Sequence, residues 1–300
     1  MMDVRRALTF LFEDPAWRRT LLIAILAGAP AAILGGVGLL GAGAPLDPRL
    51  ANAASSPFWG VFTSLLSVPL FGYVLRIARN VIEGEDRPLP SWADPGSIVR
   101  DGLNVWVVIV LWGVPRTVFD LLRRDPAPSD GFALLLVTVF AGVFSAIDFA
   151  VSPAAQGRLA ATGALVAGLD VPAAFVTFRK GWRNYLTYLL VSTCCFLVFF
   201  GVGISIVVLG QSLAGHQSSL RQGISAGLAL TWLLIGPYVL FVDYHLIGQA
   251  YRASTIAMTT RTTGFGIESE RDHDSDQMEI RSAHIEPTLP KRRQRRRRAR

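Results

Sequence analysis

The side chains that could do chemistry in this sequence are a few charged residues inside or beside long apolar runs. Asp148 lies in "AGVFSAIDFAVSP", and Asp243 and His245 lie in "YVLFVDYHLIGQAY". Arg76 and Arg79 are near the end of "LFGYVLRIARNVI". A charge at the centre of a membrane helix costs ~2.5–3.5 kcal/mol on insertion scales. Such residues therefore usually face the interior of a helix bundle and have partners there.

We interpret these five residues as a candidate intramembrane polar cluster. Arg76, Asp148 and Asp243 are predicted to pair at the mouth of a cavity that faces the cytoplasm, with Arg79 beside them. His245 has a side chain that titrates near neutral pH, so it would make the site sensitive to protons. The alternative is that Asp243 and His245 only reach the membrane surface, and that Asp148 has one structural partner.

Motifs for enzymatic chemistry are not found in the sequence. It contains no G-x-x-x-x-G-K-[ST], H-E-x-x-H or G-x-S-x-G pattern. Cys194 and Cys195 are adjacent within an apolar run, whereas zinc sites and disulfide frameworks need spaced cysteines. The run "GGVGLLGAG" (35–43) ends an apolar segment and indicates close helix packing. We therefore expect no catalytic residue, no cofactor and no metal, in a protein that is not an enzyme.

The elements that must position the charged residues are long apolar segments. The chain is 51% hydrophobic and 17% charged, whereas soluble domains carry about 25% charged residues. A bilayer core ~30 Å thick needs about 20 apolar residues in a helix. The sequence therefore predicts an all-α polytopic transmembrane bundle of about six spans: 20–42, 58–78, 102–121, 131–152, 185–209 and 224–246. The run 159–169 is too short to span and is predicted to be a surface-lying or re-entrant helix.

Basic residues predict the orientation of these spans. Outside the tail, most of them fall in segments that share one side with the N-terminus, as the positive-inside bias requires of the cytoplasmic side. We therefore expect a multi-pass protein of the cell (cytoplasmic) membrane with both termini cytoplasmic.

The two ends of the chain are predicted to lie outside the bilayer. Residues 1–19 are expected to form an interfacial amphipathic segment, 20–252 the six-span domain, and 253–300 a disordered polybasic cytoplasmic tail. A basic run near a membrane is attracted to anionic lipid headgroups by ~1 kcal/mol per residue, so Lys291–Arg300 is predicted to bind them. Nucleic acid is the less favoured partner, because no aromatic residues interleave the basic ones.

The stretch "GEDRPLPSWAD" (84–94) is predicted to be a rigid stop at the membrane surface. Pro88 and Pro90 favour an extended path, because the residue before each proline is pushed away from helical geometry. Trp92 is expected at headgroup level, with its ring buried and its N–H in water. A docking or gating role is the alternative.

Several stretches resemble one membrane protein family. They are "FLFEDPAW", "GYVLRIARNVIEGEDRPLPSW" followed by Gly102, "WRNYLTYLL" and "LIGQAY". Together they resemble an uncharacterised bacterial and archaeal multi-pass family, domain of unknown function 4013, over about residues 3–252. The resemblance implies an integral membrane domain and assigns no chemistry. The matching positions are Phe12, Asp14, Pro15, Trp17, Gly72, Arg79, Gly84, Glu85, Leu89, Pro90 and Trp92.

Three functions remain open on the sequence, of which an intramembrane enzyme with Asp148 and Asp243 as an acid pair is the least favoured. The favoured one is a non-enzymatic membrane protein that organises the membrane or supports partners, which could be a second copy of the chain or another membrane protein. The alternative is a small transporter or channel subunit that uses the polar cluster in a cavity facing the cytoplasm.

Overall fold

The computed structural model describes residues 2–41, 57–124, 131–214 and 220–271. The chain divides into two compact units, Met1–Ala257 and Met258–Arg300. The described residues form helices joined by turns, without strands. The helices are α1 (Val4–Glu13), α2 (Trp17–Gly41), α3 (Pro57–Leu65), α4 (Val68–Glu83), α5 (Pro95–Arg124), α6 (Gly131–Thr162), α7 (Leu165–Leu169), α8 (Val171–Lys180), α9 (Trp182–Ala214) and α10 (Leu220–Arg271).

Five helices in the described ranges are long and apolar enough to cross a membrane. Their apolar windows are Trp17–Leu34, Pro95–Phe119, Leu135–Thr162, Trp182–Ser205 and Leu233–Ile256. They correspond to the first and the third to sixth predicted spans. The all-α, multi-span prediction is therefore confirmed, and the chain is a membrane protein. The basic segment Lys291–Arg300 lies outside the described residues.

The second predicted span is divided into α3 and α4. At the break, Leu66 and Ser67 donate their backbone N–H groups to carbonyls three residues earlier, at 3.2 and 3.0 Å. Pro69 follows in the first turn of α4. Proline has no N–H to continue the hydrogen bonding of α3, but it fits the first turn of a new helix. The residue pattern therefore starts a second helix within the apolar segment.

The run 159–169 is not one helix, which corrects the sequence interpretation. The fourth span continues to Thr162, and Gly163 then adopts a φ of +68° that ends it. The short helix α7 follows and packs inward: the Trp112 indole N–H donates to the Gly168 carbonyl at 3.1 Å. Arg158 Nε donates to the Ala167 carbonyl at 3.1 Å across the turn. The break at Gly163 is not visible in the composition of the run, because glycine is as apolar as its neighbours. Its left-handed backbone conformation is what ends the helix.

Helix α1 packs on α10. Its apolar face buries Ala7, Phe10 and Leu11. At its start, the Asp3 backbone N–H donates to the Gln249 side chain at 2.7 Å, and Gln249 donates back to the Asp3 carbonyl at 3.1 Å. The predicted amphipathic segment is thus covered by protein on its apolar side.

Many of the polar contacts between described residues of different helices lie at one end of the bundle. The last turns of α4 and α6 meet there, where Arg79 Nε donates to the Ala160 carbonyl at 3.0 Å. The start of α9 lies against α10, because a Cβ added to Gly181 would be 2.6 Å from Ser254 Cβ. The start of α2 lines a cavity with Trp92. We call this region the polar end. Because alternate spans begin and end there, successive spans run in opposite directions.

Helices α4 and α5 cross with their backbones in contact. A Cβ added to Gly72 would lie 1.8 Å from the Ile98 carbonyl oxygen, and one added to Gly102 would lie 1.8 Å from the Val68 carbonyl oxygen. In the first turn of α5, the Ser97 hydroxyl and backbone N–H both donate to the carboxylate of Asp94, which directly precedes the helix. These hydrogen bonds lower the pKa of Asp94 from its usual value and cap the helix.

Candidate functional site

Two arginines of the predicted cluster share a carboxylate that the sequence interpretation missed. Arg76 Nε lies 2.9 Å from Asp101 Oδ2, and Arg79 Nη1 lies 3.6 Å from the same oxygen. Asp101 is only 5% exposed and comes from the start of α5. Its position immediately before Gly102 was the available signal, since that glycine brings α5 against α4.

Asp243 has a different set of partners. The Ser192 hydroxyl donates to Asp243 Oδ1 at 2.7 Å, and the Tyr188 hydroxyl donates to Oδ2 at 3.2 Å. Ser192 and Tyr188 are four residues apart on α9 and therefore lie on one face of that helix. Both were missed from the sequence, although this spacing of hydroxyls inside an apolar run is a usable signal.

Asp148 lies apart from Arg76 and Asp243, the two residues with which it was predicted to pair. It is half-buried on α6, and the charge of Arg116 on α5 acts on its carboxylate. Along the same helix, Ala160 accepts the hydrogen bond from Arg79. Twelve residues of helix separate Asp148 from Ala160, a distance of about 18 Å.

The predicted pairing of Arg76, Asp148 and Asp243 is therefore wrong. Each of the three interacts with a different partner on a neighbouring helix. The spans do run in the expected alternating directions, but Asp148 lies too far from the polar end, and Arg76 finds a nearer carboxylate on α5. A buried charge is stabilised by partners within hydrogen-bond reach, so residues at a similar depth on different helices need not meet.

His245 lies beneath α1. Its ring centroid is 4.3 Å from that of Phe10, and the residue is 3% exposed. Among the described residues, its Nδ1 atom has no hydrogen-bond partner. The alternative interpretation, in which His245 reaches the membrane surface, stays a prediction; the structure adds that α1 covers the ring.

The interfacial motif folds back on the end of α4. Gly84 caps the helix with a φ of +83°, a left-handed conformation that favours glycine. Glu85 donates its backbone N–H to the Asn80 carbonyl at 2.9 Å, and the Asn80 side chain donates to the Pro88 carbonyl at 3.0 Å. Leu89 packs against the main hydrophobic core. The motif is thus a folded cap on α4.

Trp92 completes this cap in a way that corrects the sequence interpretation. Its ring stacks on Tyr73 with centroids 4.2 Å apart and planes 8° from parallel, and the Tyr73 hydroxyl donates to the Pro90 carbonyl at 2.9 Å. The Trp92 indole N–H is buried and has no partner among the described residues. It is not in water as predicted, because the stack on Tyr73 draws the ring against the bundle.

The cavities lined by described residues include three of similar volume. The first, of about 400 Å³, lies at the polar end beside Asp14, Thr20 and Trp92. The second, of about 450 Å³, lies between α1, the end of α4 and α10; we call it the Arg6–Arg252 cleft. The third, of about 440 Å³, is apolar and lies beside α9. The Arg6–Arg252 cleft is lined by Asp3, Arg6, Val81, Gly84, Glu85, His245, Gln249, Arg252, Ala253 and Ile256.

No three histidine, cysteine, aspartate or glutamate side chains in the described ranges are placed to hold a metal ion. Cys194 and Cys195 are free thiols.

Comparison with known proteins gives one match. A family model described as a protein of unknown function (DUF4013) matches residues 57–208. This range runs from α3 into α9 and contains the interfacial motif and Asp101, but it is narrower than the predicted 3–252 and leaves out α1 and Asp243. No curated protein and no solved structure matches the chain. Since the model covers half of the sequence, the chain belongs to the DUF4013 family.

Proposed function

We propose that this chain is a non-enzymatic integral membrane protein of the cell membrane, with both ends cytoplasmic, that organises the membrane or supports partner proteins. The observation that carries the proposal is that the charged side chains near the spans are engaged in packing. Arg76 and Arg79 hold Asp101 between α4 and α5. Charges used in this way stabilise an assembly of helices.

The packing between helices is consistent with a structural role. Gly72 and Gly102 bring two backbones into contact, and a Cβ on Gly248 would lie 2.7 Å from the Ala78 carbonyl oxygen. Small residues allow membrane helices to approach closely. A transporter usually has a polar site near the middle of the bilayer, whereas neither Asp148 nor Asp243 lines any of the three cavities described above.

The alternative function rests on one observation. Asp243 is a carboxylate in a membrane-spanning helix whose described hydrogen-bond partners are two hydroxyl groups. Acidic residues in such positions often bind protons or cations in transporters. A small transporter or channel subunit with a site at Asp243 is therefore the second candidate.

Flux measurements on the full chain in liposomes distinguish the two functions. We expect proton and potassium leakage to equal that of protein-free vesicles, and to be the same for the wild type, for Asp243→Asn and for the control Asp148→Asn. Transport would be favoured by flux that exceeds the protein-free rate and falls about tenfold in Asp243→Asn alone. A tenfold fall is the loss expected for one charge-assisted contact.

The basic tail offers a positive test of the organising role. We expect liposomes that contain the full chain to aggregate with added anionic vesicles at low salt, because Lys291–Arg300 attracts anionic headgroups by ~1 kcal/mol per residue. Aggregation should disappear in a chain that ends before Lys291, and should weaken at high salt, which screens exposed charges. Light scattering measures the effect. Equal aggregation with neutral vesicles would contradict a tail that binds anionic lipid.

A further inference from the structure

The Arg6–Arg252 cleft presents two guanidinium groups with unused donors. Arg6 donates one N–H to the Asp86 carbonyl at 2.9 Å, and Arg252 donates one to the Val81 carbonyl at 3.4 Å. A guanidinium has five N–H donors, so these bonds orient both groups and leave other donors available. Both arginines are exposed, and a ligand in the cleft can reach them.

The position of Arg252 depends on the interfacial motif. A Cβ added to Gly84 would lie 2.7 Å from Arg252 Nη2 and 2.9 Å from Nη1. The Arg252 guanidinium therefore occupies the space that a side chain at position 84 would need. The motif and α10 together build this wall of the cleft, although they are far apart in the sequence.

His245 forms part of the base of the cleft. It lines the cleft, is 3% exposed, and has an Nδ1 atom without a partner in the described part of the chain. This atom has almost no accessible surface, so the groups that a ligand in the cleft can reach are the exposed side chains of the two arginines and of Glu85.

The charges of the cleft are balanced. Beside the two arginines it is lined by two acidic residues, Asp3 and Glu85. Asp3 caps α1 by accepting from the Arg6 backbone N–H at 2.9 Å, whereas Glu85 is exposed and its backbone alone enters the cap of α4. A zwitterion, with one anionic and one cationic group, matches this arrangement better than an anion does.

The cleft also lies at the end of the bundle where spans meet the membrane surface. Trp17 begins α2 and Trp182 begins α9, and Trp182 is half exposed. Tryptophan is enriched at the level of the lipid headgroups. A ligand in the cleft is therefore at the depth of a headgroup.

We propose that the Arg6–Arg252 cleft binds the headgroup of a zwitterionic phospholipid that carries a phosphodiester and a primary ammonium group. Arg6 and Arg252 donate to the phosphate oxygens, as guanidinium groups do in phosphate recognition. Glu85 accepts from the ammonium group, and the His245 ring forms the base of the cleft. The cleft would bind this lipid whether the bundle acts as a scaffold or as a transporter, so the two proposals can fail separately.

Native mass spectrometry of the full chain, released from nanodiscs, tests this site. The nanodiscs contain equal amounts of phosphatidylethanolamine, phosphatidylcholine and phosphatidylglycerol. We expect phosphatidylethanolamine to be retained preferentially and Arg252→Gln to retain it about tenfold less, the loss that one charge-assisted hydrogen bond predicts. Arg183→Gln is the matched control, because Arg183 is an exposed arginine beside the Trp182 ring and does not line the cleft.

A second variant tests the recognition of the ammonium group. Glu85→Gln changes an exposed side chain, so folding should be preserved, and it should lose the preference for phosphatidylethanolamine over phosphatidylcholine while still binding both. Soluble phosphoethanolamine and inorganic phosphate distinguish the source of the phosphate. Stabilisation of the chain by inorganic phosphate to the same extent as by the lipid would overturn the lipid assignment. Equal retention of all three lipids, or equal losses in Arg252→Gln and Arg183→Gln, would overturn the site.

Discussion

Gly102→Ala should destabilise the bundle by at least ~3 kcal/mol, the upper end of what overpacking costs. The new Cβ would lie 1.8 Å from the Val68 carbonyl oxygen and 2.9 Å from the Gly72 backbone nitrogen. Both contacts are with backbone, which cannot rotate away as a flexible side chain can. Helices α4 and α5 would have to separate, and the Asp101 contacts beside the crossing would lengthen. Equilibrium unfolding in mixed micelles measures the loss.

Gly113→Ala provides a control on the same helix. A Cβ at Gly113 meets nothing within 4 Å, and alanine is the better helix former by roughly 1 kcal/mol. We expect this variant to be as stable as the wild type or slightly more stable. Similar losses for the two variants would mean that α4 and α5 do not cross at Gly72 and Gly102.

The second large effect is expected for Asp101→Asn, at about 3 kcal/mol of unfolding free energy. Removing one member of a buried ion pair costs about 3–5 kcal/mol, because the other charge stays buried and unpaired. Two arginines depend on Asp101, but their side chains are 18% and 27% exposed, which places the expected loss at the lower end. The same unfolding measurement applies, and Arg76→Gln should restore part of the stability lost in Asp101→Asn.

Asp170→Asn is the matched control for this charge. Asp170 pairs with Arg158 at 3.4 Å, and its side chain is 42% exposed, compared with 7% for Asp101. Exposed pairs contribute about 0–1 kcal/mol. Asparagine also preserves the bond by which residue 170 caps α8, because both residue types are good caps. A loss as large as that of Asp101→Asn would indicate that burial does not set the cost.

The apolar segments of this chain were predictable because their signal is strong and local. A run of about 20 apolar residues must cross the bilayer as a helix, since its backbone groups need internal hydrogen bonds in lipid. Five of the six predicted spans are single helices. The departures from the predicted spans also have local causes. Pro69 divides the second span into two helices, and Gly163 ends the helix of the fourth span, although the composition does not change there.

Lateral contacts were not predictable in the same way. Arg76 and Asp243 were recognised as residues that need partners, but Asp101 and Ser192 were not recognised as those partners. Depth in the membrane follows from position along a helix, whereas the choice of partner depends on which helix faces which and at what rotation. Trp92 illustrates the same difference, because its aromatic character suggested the membrane surface and the neighbouring Tyr73 ring decided its orientation.

By itself, the sequence determined that this chain is an all-helical membrane protein, where most of its spans lie, and which side chains need partners. These properties follow from the cost of placing charges and unpaired backbone groups in lipid, which each segment incurs independently of the others. The tertiary structure decided that Asp101 pairs with the two arginines, that α1 covers His245, and that Gly84 and Arg252 share a cleft wall. Those contacts join residues that are far apart in the chain. They exist only because particular helix faces are brought together by the close crossing at Gly72 and Gly102 and by the packing of α1 on α10.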